Sequence, residues 1–140
     1  MKLDRLDQAI LKQLQSDSRK SFAELAREVN LTGPAVRRRI EKMTKEGVIR
    51  RFTLERGDMQ ARAIVLVSVD SEYETTDISE KLATLAGVHI IYEITGQYDI
   101  MAVLSAPDIA DLNANVDQIR RTAGITDTNT VIILRHVSNG

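Results

Sequence analysis

The spacing of the apolar residues changes once along this chain, and the change limits what it can fold into. Through residue 50 they recur at intervals of three and four, as Leu6, Ile10 and Leu14 do, the period of an amphipathic helix. After Gln60 the pattern turns to β-branched runs such as "ARAIVLVSV", interrupted by two further helical stretches. A helical unit followed by a mixed α and β unit is the organisation this implies. With 140 residues to share, both units are small. Small domains bury a low fraction of their surface, so oligomerisation is an expected source of additional stability.

In the first part, Leu3, Leu6, Ile10, Leu11 and Leu14 predict a helix over 5–15, broken by "SDSR". Ser21 followed three residues later by Glu24 reads as a capping box, opening a helix over 22–29 that ends at Asn30. Thr32 can cap a third helix. Gly33 and Pro34 lie in its first turn, where proline's missing N–H is tolerated. Val36, Ile40 and Met43 form its buried stripe, and Gly47 suits a left-handed cap. "VIRRFTLER" then reads as a strand or two-stranded wing, and "RGD" as a turn.

Beyond Gln60 the expected elements are a strand over 61–69, a helix over 77–85, and two strands, "VHIIYEIT" and "IMAVLSA", joined by a tight "GQYD" connection. Asp108 caps a helix in which Ile109, Leu112, Val116 and Ile119 recur, and "TVIILRHV" closes the chain as a strand. This order is the ferredoxin-like βαββαβ arrangement. Both helices would cover one face of the four strands, and the other apolar face would be closed by another subunit.

Charge divides at the same place. Residues 1–60 carry 14 Lys and Arg against 9 Asp and Glu, a balance of +5; residues 61–140 carry 5 against 11, a balance of −6. The near-neutral total therefore conceals a basic first part suited to a polyanion and an acidic second part that is not. There is no cysteine, hence no disulfide and no thiolate metal site. The charged start "MKLDRLDQAI" does not resemble a signal peptide, and no apolar run is long enough to span a bilayer. A soluble, cytoplasmic protein without membrane contact is expected.

The densest positive run is Arg37-Arg38-Arg39, inside the third helix. At about 100° per residue from Val36, Arg37, Arg38, Glu41, Lys42 and Lys45 fall on the outward half, while Arg39 lies at the border of the buried stripe. Two readings are open: a solvated helix face, or the second helix of a helix-turn-helix, which presents its N-terminal residues to base edges and its flanking cations to phosphates. Arginine suits both tasks, since its fork grips a guanine edge or a phosphate with two hydrogen bonds. The short helix pair, the tight turn and the positive first part favour DNA.

The stretch "LDQAILKQLQSDSRKSFAELAREVNLTGPAVRRRIEKMTKEGVI" resembles the helix-turn-helix of the Lrp/AsnC (leucine-responsive, feast/famine) regulators. "ITGQYDIMAVLSAPDIADLNANVDQIRRTAGITDTNTVIIL" is similar to that family's amino-acid-sensing domain. Further matches are Asp4 and Asp7 beside Ile10 and Leu14, Arg19 with Ser21, and Val36, Arg39 and Gly47 to Ile49. The resemblance implies an α+β fold: a three-helix winged helix-turn-helix domain over 1–50, a linker strand over 51–62 pairing with its counterpart in a partner subunit, and a ferredoxin-like effector-sensing and oligomerisation domain over 63–140. It implies a homodimer, with a tetramer of dimers as the larger assembly, on double-stranded DNA with palindromic half-sites. The DNA-binding residues carried over are Thr32, Gly33, Pro34, Arg37, Arg38, Arg39, Lys42 and Lys45. Two departures are visible. Gly33 stands where a small hydroxyl residue is common, and the connecting segment is short, without the usual leucine-glycine.

The same resemblance implies a free amino acid as effector near Gly96, Gln97, Tyr98 and Asp99. Asp99 suits its ammonium, the amides at Gly96 and Gln97 its carboxylate, and Thr126, Thr128 and Thr130 offer hydroxyls from the opposing side. The alternative for this stretch is an ordinary hairpin turn, with Gly96 chosen for backbone freedom and Asp99 capping local amides. No cofactor is expected, and neither a metal-ligand cluster nor a catalytic fingerprint stands in the sequence. His89 and His136, both in apolar runs, suit structural roles. Two rival functions predict different behaviour. A ligand-sensing or assembly protein without DNA-binding activity would tolerate Arg38→Ala; an RNA-binding sheet would need more exposed aromatics than Tyr92 and Tyr98 supply.

Overall fold

The computed structural model describes residues 1–138; the last two residues of the span read as the second domain lie outside the described residues. The chain divides into two compact units between Glu55 and Arg56, within the segment read as a linker.

The first unit contains α1 (Arg5–Ser16), α2 (Phe22–Val29) and α3 (Gly33–Lys45). Each helix starts on a residue whose side chain accepts an otherwise unpaired first-turn N–H: Asp4 from Asp7, Ser21 from Glu24, Thr32 from Ala35. Asp4 with Asp7, and Ser21 with Glu24, form reciprocal capping boxes. Asn30 ends α2 in the left-handed region at φ 56°, which permits the tight turn into α3. At the end of α3, Gly47 has φ +79°; its N–H reaches Thr44 O and that of Val48 reaches Met43 O, closing the last turn. Ile10, Leu25, Val36 and Met43 are wholly buried at the centre of the three helices.

No wing strand forms within the chain, and the linker strand was expected to pair with its counterpart in a partner subunit. Residues 50–60 contain no strand, Phe52 and Leu54 are exposed, and the only turn is at Gly57 and Asp58, where Arg56 Nε donates to Asp58 Oδ1 at 2.9 Å. A strand needs a neighbour for its backbone groups, and within this single chain the segment has none.

The second unit contains β1 (Ala61–Val69), α4 (Thr75–Ala83), β2 (Val88–Glu93), β3 (Ile100–Ala106), α5 (Ile109–Arg120) and β4 (Ile125–Ile133). The four strands form one antiparallel sheet in the order β2-β3-β1-β4. β4 begins five residues earlier than its sequence suggests and stops sooner. β1 sets both limits: it offers partners from Val69, opposite Ile125, to Arg62, opposite Ile133, and the chain beyond passes the end of the ladder. Ile109, expected inside, is 52% exposed at the first position of α5.

Alternation along β1 assigns the two sheet faces. Ala61, Ala63, Val65 and Val67 are buried under α4 and α5 with Ile78, Leu82, Leu112 and Ile119. The opposite face carries Ile64 and Leu66, flanked in register by Met101 and Val103 and bordered by Ile90, Tyr92 and Val131. Those last three are 40–46% exposed, so within one chain this face is apolar and uncovered.

Candidate nucleic-acid interface and effector turn

The buried stripe of α3 fixes which of its residues reach solvent. Val36, Ile40 and Met43 are buried, which leaves Thr32, Pro34, Arg37, Arg38, Glu41, Lys42 and Lys45 exposed and Gly33 half-buried at the start. The outward face is therefore a capped helix N-terminus followed by four cations and one carboxylate. Arg38 and Lys42, one turn apart, line a groove of about 440 Å³ together with Lys2, Leu31 and Ala35. Among the described residues Arg38 makes no hydrogen bond or ion pair, whereas Arg37 Nε is bonded to Glu41 Oε1 at 2.9 Å.

Arg39 has a different environment. It is half-buried, and its Nη1 donates to Asp4 at 2.7 and 2.8 Å and to Asp7 Oδ1 at 2.9 Å. At the border of the buried stripe, where the helical step puts it, the guanidinium is bound inside its own domain. The border position deduced from the helical step brings it over the N-terminus of α1, where the two capping carboxylates are the nearest anions. The Arg39 hydrogen bond, helped by the backbone N–H of Asp7, holds the Asp4 carboxyl below the usual carboxylate range, and the same two acids hold Arg39 more firmly protonated. α3 is thus anchored to α1 by a charge cluster as well as by apolar packing. Asp4 and Asp7 were visible in the sequence as acids at the start of α1; their partner, 32 and 35 residues away, was not.

In the second unit, Gly96 to Asp99 lie in the connection between β2 and β3, closed by Ile94 N–H donating to Asp99 O at 2.9 Å. Gly96 has φ +110°, the left-handed range that glycine tolerates, and open space around its α-carbon. Asp99 is tied to β1 at both ends: its N–H donates to Val67 O at 2.9 Å, and its Oδ2 accepts from Val69 N–H at 2.8 Å. One carboxylate oxygen thus secures the turn and the other is left available. Thr126 reaches the same end of the sheet, its Oγ1 donating to Ser68 O at 3.3 Å. Thr128 and Thr130 do not join that group. They stand opposite Val67 and Val65 on the helix-covered face, and Thr130 is roughly 13 Å along the strand from Thr126 at about 3.3 Å per residue. Thr130 lines a groove with Asn113, Asp117 and Arg120 of α5, and its buried hydroxyl makes no hydrogen bond. Of the two histidines, His89 is bonded to Ser105 Oγ across β2 and β3, and His136 to Arg62.

Among the described residues no cluster of His, Asp or Glu could hold a metal, and no helix is long and apolar enough to cross a membrane.

Comparison with known proteins agrees with this two-part architecture. Residues 3–44 match the AsnC-type helix-turn-helix domain, and residues 62–140 match the Lrp/AsnC ligand binding domain. The chain is 38% identical over 134 residues to the HTH-type transcriptional regulator LysM of Saccharolobus solfataricus, covering 95% of this chain and 94% of that protein. It is 39% identical to the LysM of Sulfurisphaera tokodaii over 95% of this chain and 96% of the relative. Among solved structures, B. subtilis LrpC superposes with a TM-score of 0.83 at 28% identity over the whole of both chains. E. coli AsnC, at 24% identity, shares the fold with a TM-score of 0.84 over 100% of this chain and 98% of its own. With both domains matched in order and relatives aligned along nearly their full length, the chain belongs to the Lrp/AsnC family of DNA-binding transcriptional regulators.

Proposed function

We propose that this regulator binds duplex DNA as a homodimer, with α3 in the major groove, and that a free amino acid modulates the binding. The observation that carries the reading is the outward face of α3. Thr32, Gly33 and Pro34 form its leading end and Arg37, Arg38, Lys42 and Lys45 its exposed cations; Arg39 enters as the positioning residue that ties this helix to α1. The uncovered apolar sheet face, with Ile64, Leu66, Met101 and Val103 at its centre, supports the homodimer. A two-fold pair presents two recognition helices to half-sites about one helical turn, or roughly 34 Å, apart. The effector reading rests on the matched ligand-binding domain and on Gly96 to Asp99, where the second Asp99 oxygen suits an ammonium and the open backbone at Gly96 and Gln97 a carboxylate. An effector that favours one arrangement of the DNA-binding domains shifts the population toward it.

Selection of bound duplexes from a random pool, repeated with each of the twenty amino acids, tests the whole reading. The expected product is a pseudo-palindromic motif whose enrichment changes with one or a few amino acids. Titration across salt should give a linear dependence of log K on log salt concentration, and Arg38→Ala and Lys42→Ala should each reduce the slope by about 1.8 for the dimer, about 0.9 for each half-site. Recovery of no motif, with both variants binding like the parent, would end the DNA-binding reading.

A further inference from the structure

The three consecutive arginines have three different surroundings. Arg39 is bound by Asp4 and Asp7, Arg38 has no internal partner among the described residues, and Arg37 is held by Glu41 one turn further along α3. The Arg37–Glu41 pair is about two-thirds exposed on both sides, 64% and 62%, too well solvated to contribute much to stability. Its consequence is geometric. A guanidinium has five N–H donors in a planar fork. With Nε donating to Glu41 at 2.9 Å, the parallel donors left free are those of Nη1 and Nη2 at the tip. That end-on fork is the shape that matches O6 and N7 of guanine in the major groove.

A phosphate is a poorer match for this pair. Phosphate contacts rest on net positive charge and tolerate many directions of approach. Glu41 cancels the charge of Arg37 and would itself face the anion, whereas Arg38 carries no such carboxylate. Building on the DNA-binding reading above, we propose that Arg37 reads a guanine in each half-site through its end-on fork, that Glu41 is the positioning residue that sets the fork, and that Arg38 takes a backbone phosphate. Glu41 acts through Arg37, so both residues govern the same base pair. Specificity at that position then depends on a carboxylate that lowers, rather than raises, attraction to DNA in general.

The test uses the full chain and the operator motif recovered by selection, with every single base change in one half-site, measured for the parent, Arg37→Ala, Glu41→Ala, Glu41→Gln and Arg38→Ala. All four changes are at exposed positions of α3 and leave its buried stripe intact. The parent should prefer guanine at one position by roughly 10- to 100-fold, the range of a good two-bond contact. Arg37→Ala should flatten that position alone. Glu41→Ala should lower discrimination there by about tenfold while tightening binding to non-specific DNA, and Glu41→Gln, which retains an acceptor oxygen, should keep most of the preference. Arg38→Ala should weaken all sequences alike and reduce the salt slope of the dimer by about 1.8, about 0.9 for each half-site. The proposal is overturned if Arg37→Ala weakens every sequence equally with a reduced salt slope, or if Glu41→Ala leaves base preference unchanged or alters a different base pair. A parent that shows no base preference on any duplex overturns the DNA-binding reading itself and this inference with it.

Discussion

Arg39→Met removes the cation from a cluster in which one carboxylate is buried and the other is not. The Asp7 side chain is 6% exposed, Asp4 56% and Arg39 29%. Removing one member of a buried pair costs about 3–5 kcal/mol because the remaining charge is stranded, whereas an exposed pair contributes about 0–1 kcal/mol. Asp7 belongs near the first limit, but two features reduce the cost. The backbone N–H of Asp4 still donates to Asp7 Oδ2 at 3.1 Å, and Arg39 borders an open groove through which water can replace it. Methionine also preserves the apolar stem. The expected destabilisation of the first unit is therefore about 2 kcal/mol, which lowers a urea midpoint by roughly 1–2 M for a unit this small. Far-UV circular dichroism follows the helices, while tyrosine fluorescence follows the second unit separately, since Tyr73, Tyr92 and Tyr98 all lie there and there is no tryptophan. Adding Asp7→Asn to Arg39→Met should cost about 1 kcal/mol less than the sum of the two single changes. The pH dependence has a definite sign. Asp4 titrates below its unfolded value, so its contribution is complete above about pH 3.9 and is lost as pH falls through the lower folded pKa. The gap between parent and variant should hold at pH 7 and narrow below pH 4. Equal midpoints at pH 7, or a gap unchanged at pH 3, would refute the reasoning.

Two further outcomes follow from the packing. Gly47→Ala and Gly124→Ala both place a side chain at positive φ, but Gly47 has open space around it, while a Cβ at Gly124 would meet the Tyr73 ring at 2.8 Å and Ile78 Cδ1 at 2.9 Å. Thermal denaturation should show a loss of about 1 kcal/mol for Gly47→Ala and at least about 2 kcal/mol for Gly124→Ala, where overpacking adds to backbone strain; a reversed ranking would contradict the packing. Met101→Glu places a carboxylate at the centre of the uncovered sheet face, so light scattering should show it shifted from dimer toward monomer, with operator affinity reduced by at least tenfold; an unchanged mass would remove that face from the proposed interface.

Much of the fold was legible because its signals are local. The capping residues Asp108, Ser21 and Thr32, the stripe Val36, Ile40 and Met43, and the β-branched run of β1 follow from spacings within a single element. The exposed cations of α3 could be projected for the same reason, since a helix turns by a fixed angle per residue. What local spacing did not supply depended on partners distant in sequence. The segment 50–60 has strand-like composition but no strand neighbour within its own chain, its expected neighbour being the counterpart in a partner subunit, and the ends of β4 were set by the extent of β1. The role of Arg39 was decided by Asp4 and Asp7, which only the packing of α1 against α3 brings within hydrogen-bonding distance. The threonines at 126, 128 and 130 share a spacing that suggested one set of hydroxyls, but the sheet register puts Thr128 and Thr130 on the helix-covered face and leaves Thr126 at the same end of the sheet as Asp99, on the other side of β1. Sequence alone determined where the helices lie, which residues are basic and which face of α3 is outward. Tertiary structure decided which of three adjacent arginines is anchored, because Asp4 and Asp7 reach Arg39 only through the packing of α1 against α3 and ion-pair energies depend on distances that periodicity does not encode, whereas the Arg37–Glu41 pair, four residues apart on one helix, is local.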